Sequence, residues 1–193
     1  MILNGSVPPL TAVHTGLVNG DTPASLDSPL SLTTATGTAV GLFPIVASDA
    51  ADANDAIAFT NGTLTVEYAG SGACLGDPGH TILQPVNVDG TSVFKKGSTV
   101  PAKFRVCDAS GASVGTPGTV SSFRLVQTIA RTVTTAVNEP VDSTIPFAEF
   151  RWDALAQRWV FNMATRGLTA GRTYVFDITL GDGSVIRYQF GLR

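Results

Sequence analysis

Neither lysine nor arginine occurs before Lys95 in this chain of 193 residues. Residues 1–94 hold eight acids and no base, a formal charge of −8, whereas residues 95–193 hold twelve bases and seven acids, a formal charge of +5. One domain surface normally mixes both signs, so the partition predicts two units with different surfaces joined end to end. Charged residues make up 14% of the chain, too few for the Glu- and Lys-rich faces of a helical protein. No apolar run approaches the roughly 20 residues needed to cross a bilayer as a helix. Met1-Ile2-Leu3 is followed at once by Asn4-Gly5, which is not the basic segment and apolar core of a secretory leader. Low charge with abundant Thr, Ser and Gly still reads as an exported protein, with the leader expected upstream or already removed.

Cysteine and histidine are rare. Cys74 and Cys107 show no CxxC spacing and only His14 and His80 accompany them, so a four-ligand zinc site lacks ligands. In an exported protein a disulfide is expected, with two free buried thiols as the alternative; it would close a loop of about 30 residues and contribute on the order of 3 kcal/mol. Catalysis finds little to work with: the two histidines stand far apart, no GxSxG or phosphate-cradling loop occurs, and the carboxylates are scattered, so the chain is expected not to be an enzyme. Nucleic acid is not an expected partner, because Lys95-Lys96 is the sole basic run. Asp49, Asp52, Asn54 and Asp55 place four oxygen donors close together, a candidate calcium loop without the EF-hand pattern or its closing Glu. A solvated acidic loop is the alternative.

What is abundant points to strands. Hydrophobic residues reach 44%, interleaved with Thr and Ser and punctuated by 20 Gly and 11 Pro, a mixture that suits pleated surfaces and tight turns. In the first half, strands are expected at Leu10–His14, Leu30–Thr34, Gly41–Val46, Ala56–Phe59 and, after the hairpin signal Asn61-Gly62, at Thr63–Tyr68, where Leu64, Val66 and Tyr68 share one face. Strands at this spacing predict a sandwich. Residues 69–84 read as a turn-rich connector, ordered only if the disulfide holds it.

From Pro85 onward the strands lengthen. Phe94–Asp108 alternates so that Val100, Ala102, Phe104 and Val106 face one side and Lys103, Arg105 and Cys107 the other, with Pro101 marking an edge strand or its first residues. Phe147–Trp152 and Trp159–Met163 predict a hairpin, and so do Tyr174–Leu180 and Ser184–Phe190 about Gly181-Asp182-Gly183. Trp152 and Trp159 are expected in the core, the alternative being an exposed stacking platform for glycans. Lys103 is expected to lie on the outer face with its ammonium in water, the alternative being an isopeptide bond to a carboxylate such as Glu149.

Three ordered blocks carry a family resemblance in the first half: Gly16–Leu26, Gly41–Ile45 and Asn61–Val66. Together they resemble the bacterial glycine-rich MBG domain over about residues 4–68. The chain departs from that pattern at Phe43 and Ala56, where the family tends to carry tyrosine, and of the family's first strand only Met1-Ile2-Leu3 remains. A sandwich short of that strand exposes unpaired backbone, so either a boundary cuts through a larger protein or a strand from another chain completes the sheet at Met1, Ile2 and Leu3. The second half resembles the PxKF domain through Val100-Pro101-Ala102-Lys103-Phe104, Phe150–Asp153, Trp159–Asn162, Gly167–Gly171 and Phe190–Arg193. That resemblance implies an immunoglobulin-type sandwich in long exported bacterial proteins, with no catalytic residues.

The expectation is therefore an all-β chain of two tandem immunoglobulin-like β-sandwich domains, residues 1–69 and 85–193, joined by a connector at 70–84. Its expected role is a structural, adhesive or filament-building module at the bacterial surface or outside the cell, with further copies of itself or neighbouring domains as partners. The alternatives are a carbohydrate-binding module and an accessory spacer of a larger exported enzyme.

Overall fold

The computed structural model describes residues 1–145 and 149–193. These form two compact units, Met1–Glu67 and Tyr68–Arg193, and the described residues are all-β apart from one 3-10 turn at Pro23–Ser25. The connector expected at 70–84 belongs to the second unit.

The first unit holds one antiparallel sheet of three strands, β1 (Ser31–Thr33), β2 (Gly41–Ser48) and β3 (Gly62–Val66), in the order β1-β2-β3. Alternation sets its faces. Leu64 and Val66 are buried while Leu42, Pro44 and Val46 on β2 point to solvent. Met1-Ile2-Leu3 runs parallel to the end of β3: the Leu3 N–H donates to the Glu67 carbonyl at 2.8 Å, the Glu67 N–H donates to the Met1 carbonyl at 3.0 Å, and Leu3 is buried. The strands expected at Leu10–His14 and Ala56–Phe59 do not form. Pro8 and Pro9 lead into the first of these without an N–H to give a ladder, and Val13 is left 91% exposed.

The second unit carries two sheets. In chain order its strands are β4 (Ala73–Cys74), β5 (Asp77–Pro78), β6 (Thr81–Ile82), β7 (Val93–Phe94), β8 (Thr99–Arg105), β9 (Val120–Ala130), β10 (Val133–Pro140), β11 (Arg151–Asp153), β12 (Arg158–Ala164), β13 (Arg172–Leu180) and β14 (Val185–Leu192). One sheet runs β10-β9-β13-β14-β7 and the other β11-β12-β8-β6, with β4 and β5 as a separate small hairpin. Every pairing is antiparallel except β14 with β7. The expected hairpins about residues 154–157 and Gly181-Asp182-Gly183 are present; Phe147, placed by sequence in the first of them, lies outside the described residues.

β8 lies between β12 and β6, but β6 reaches only Phe104 and Arg105. Pro101, paired with Asn162 on the β12 side, therefore sits where the other side of the strand carries no ladder, and its missing N–H is not needed there. Between the sheets Phe123 of β9 meets Phe161 of β12 edge-on at 5.0 Å, and Phe176 stacks with Phe190 and Tyr188 at 5.1 and 5.3 Å. The Tyr188 hydroxyl donates to the Met163 sulfur at 3.2 Å. Burial pushes this phenol well above its ordinary pKa. Tyr174, near the start of β13, turns its hydroxyl back on the chain, accepting from the Thr169 N–H at 2.7 Å and donating to the Thr169 carbonyl at 2.9 Å. A tyrosine tied to backbone a few residues upstream is a corner device of immunoglobulin-type sandwiches.

Candidate functional site

Around the disulfide, residues 68–80 are fastened to the second unit. Cys74 on β4 bonds Cys107, just beyond the end of β8, with 5.7 Å between their Cα atoms. Arg105 extends the clamp. Its Nη1 pairs with Asp77 of β5, its Nη2 donates to the Ala156 carbonyl at 2.6 Å and its Nε to the Gln157 carbonyl at 3.0 Å, so one guanidinium gathers the β4–β5 hairpin, β8 and the β11–β12 turn. Backbone bonds from the Ala69 N–H to the Cys107 carbonyl and from the His80 N–H to the Arg105 carbonyl, each 2.8 Å, complete the fastening.

Asp182, in the β13–β14 turn, accepts from the Tyr68 N–H at 2.9 Å, from the Ser184 N–H at 3.0 Å and from the Ser184 hydroxyl. Burial alone would raise this carboxyl, but these donors and the nearby His80 together hold it below the ordinary aspartate value. Burial likewise raises the Tyr68 phenol, against the Thr119 hydroxyl and with the Asp182 charge.

The two tryptophans meet at 5.5 Å with planes 57° apart. Trp159 is 7% exposed and its Nε1 donates to the Val114 carbonyl at 2.9 Å, so it is a core residue. Trp152 is half-buried and lies against Gly115, where a Cβ would fall inside the indole. The rings do not form a coplanar exposed pair. They do flank a groove of about 490 Å³ lined by Phe123, Phe150, Trp152 and Phe161, with Ser121, Ser122 and Glu149 beside them.

The candidate calcium donors are not gathered. Asp52 accepts from the Asn54 N–H at 2.8 Å and Asp49 from the Ser48 hydroxyl at 2.9 Å, and among the described residues no three His, Cys, Asp or Glu side chains converge. Lys103 lies on the outer face of its sheet, directly across from Val160. Partial burial lowers its pKa, helped by Arg158 and opposed by Asp153. Sequence reasoning missed the Arg105 clamp and the whole β9–β10 hairpin. The apolar alternation of Phe123 and Leu125 and the run Thr132–Val137 were the available signals for that hairpin.

Residues 1–65 match the family of the MBG domain (YGX type). No curated protein matches the chain. Among solved structures, an endo-fucoidan hydrolase from glycoside hydrolase family 107 aligns with 92% of this chain at 16% identity and a TM-score of 0.23. The chain spans 28% of that protein's length, and the TM-score is too low for the likeness to carry an argument. Residues 1–65 are thus similar to an MBG domain, and no described helix is long and apolar enough to cross a membrane.

Proposed function

We propose that the chain is a non-enzymatic structural and adhesive module of an exported bacterial surface protein, joining an MBG-like unit to an immunoglobulin-like, PxKF-type sandwich. The observation that carries this is the MBG match over residues 1–65, since that family furnishes modules of surface proteins. The Cys74–Cys107 bond adds to it, because such bonds persist in oxidising compartments. The Tyr174 corner favours the immunoglobulin type for the second unit. In this role the aromatic interior gives stiffness and the disulfide with Arg105 resists peeling of residues 68–80. Protease added to intact producing cells tests the proposal: the chain should be cleaved from outside, and full protection until lysis would overturn it.

A second role is favoured by the groove beside Trp152, whose aromatic floor and hydroxyl rim suit a sugar face. Saturable quenching of tryptophan emission by a glycan, lost in Trp152→Ala, would establish it; unchanged emission across a glycan panel would remove it.

A further inference from the structure

The outer face of the four-stranded sheet carries cations that the chain itself leaves unneutralised. On β12, Val160 lies between Arg151 of β11 and Lys103 of β8, and the adjoining row pairs Asp153 with Arg158. Alternation turns these side chains away from the core, in which Ala102, Phe104, Trp159 and Phe161 are buried. Other arginines of this unit are committed: Arg105 to Asp77 and two carbonyls, Arg124 to Asn138, and Arg187 to Asp177. Here they are not. Among the described residues Arg151 and Lys103 donate no hydrogen bond. The Arg158 Nε is buried without an acceptor, and Asp153, the one acid in the two rows, stands 3.7 Å from it, beyond hydrogen-bond length. Partial burial and then Arg158 lower the Lys103 pKa, against Asp153. Three bases thus share a patch with one acid, an arrangement that an anion from outside would relieve.

We propose that Lys103, Arg151 and Arg158 form a binding site for the oxyanion groups, sulfate or carboxylate, of an acidic polysaccharide laid across β11, β12 and β8. Neighbouring strands stand about 4.8 Å apart, so Arg151 and Lys103 start about 10 Å from each other with Val160 between them. Their long stems can close on one oxyanion above Val160 or hold groups on successive sugars, and Arg158 adds a planar donor beside them. None of the outward residues of these three strands is aromatic, which leaves nothing for bases to stack on and disfavours nucleic acid. The chain as a whole carries a net charge of −3, so a polyanion is drawn to local cations and not to the molecule at large. The choice of a glycan among polyanions rests on the exported role proposed above. Arg151 and Trp152 face opposite sides of β11, so this site does not need the tryptophan groove.

Amide chemical-shift mapping of the full 20.0 kDa chain with dextran sulfate tests this, with neutral dextran and inorganic sulfate as comparison probes. The expected result is saturable shifts confined to β8, β11 and β12, weakened by added salt and absent with neutral dextran. Inorganic sulfate should bind at least about tenfold more weakly than the polymer, which offers many groups at once. Lys103→Gln combined with Arg151→Gln should weaken dextran sulfate binding about tenfold or more. Lys95→Gln combined with Lys96→Gln removes the same charge just past β7 and should leave binding unchanged. All four side chains point outward, so both double variants should keep the parent's circular dichroism and melting behaviour. No shifts, shifts scattered over the unit, equal loss in the two double variants, or inorganic sulfate as tight as the polymer would each overturn the site. Shifts at the same amides that grow with protein concentration alone would give the patch to the acid-rich unit of a second copy and overturn it equally. Tryptophan emission reads the groove and surface proteolysis reads the exported role, so each of the three claims fails on its own measurement.

Discussion

At the scale of single residues, the second unit depends on a few side chains that each tie several segments together. Arg105 bonds Asp77 and two carbonyls of the β11–β12 turn with its side chain 11% exposed. Arg105→Met should cost about 2–3 kcal/mol, because it removes charge-assisted bonds and strands the Ala156 carbonyl; a denaturant midpoint within error of the parent would contradict the clamp. Gly115→Ala pushes a methyl into the Trp152 ring and should destabilise by about 1–3 kcal/mol with a shifted tryptophan emission. Asp182 supplies a pH test. Its folded pKa lies below its unfolded one, so its contribution is full above the unfolded value and is lost as pH falls through the folded value. Denaturant midpoints followed from about pH 6 to about pH 2 should fall less steeply in Asp182→Asn than in the parent. Parallel curves would show that the carboxylate is not linked to folding.

Elements were legible in the sequence where a strong turn and a clean alternation coincided. Gly181-Asp182-Gly183 between Tyr174–Leu180 and Ser184–Phe190 gave the β13–β14 hairpin, and Asn61-Gly62 led into β3. The β9–β10 hairpin was hidden because its turn lacks glycine or asparagine: Arg131 takes φ 56° in a position where sequence rules look for those residues. Leu10–His14 failed in the opposite sense, showing an apolar–polar pattern without a neighbouring strand to pair with. The cysteine pair was foreseeable from composition and compartment, but the Arg105 clamp was not, since its partners come from residues 77, 156 and 157 and only the fold assembles them. Replacing Cys74 and Cys107 by serine should cost about 2–4 kcal/mol for a bond spanning 33 positions. It should also open residues 69–80 to protease before the sandwich unfolds. Simultaneous loss of both would mean that the segment is held by the sheets alone.

For the whole molecule, the two units carry net charges of opposite sign, although the first base, Lys95, stands well inside the second unit. Met1–Glu67 contains six acids and no lysine or arginine, and Tyr68–Arg193 contains twelve bases and nine acids. The units also differ in what they bury. The first has Leu3, Leu64 and Val66 beneath a three-stranded sheet, whereas the second encloses Phe104, Phe161, Phe176, Tyr188 and Phe190 between two sheets. Burial of that apolar area is the main source of rigidity, so the chain keeps its stiffness in the second unit. Native-state hydrogen exchange tests the point directly. The slowest amides should fall in β8, β12, β13 and β14, with residues 10–14 and 56–59 exchanging fast. Protection in those two segments equal to that of β13 would contradict the account.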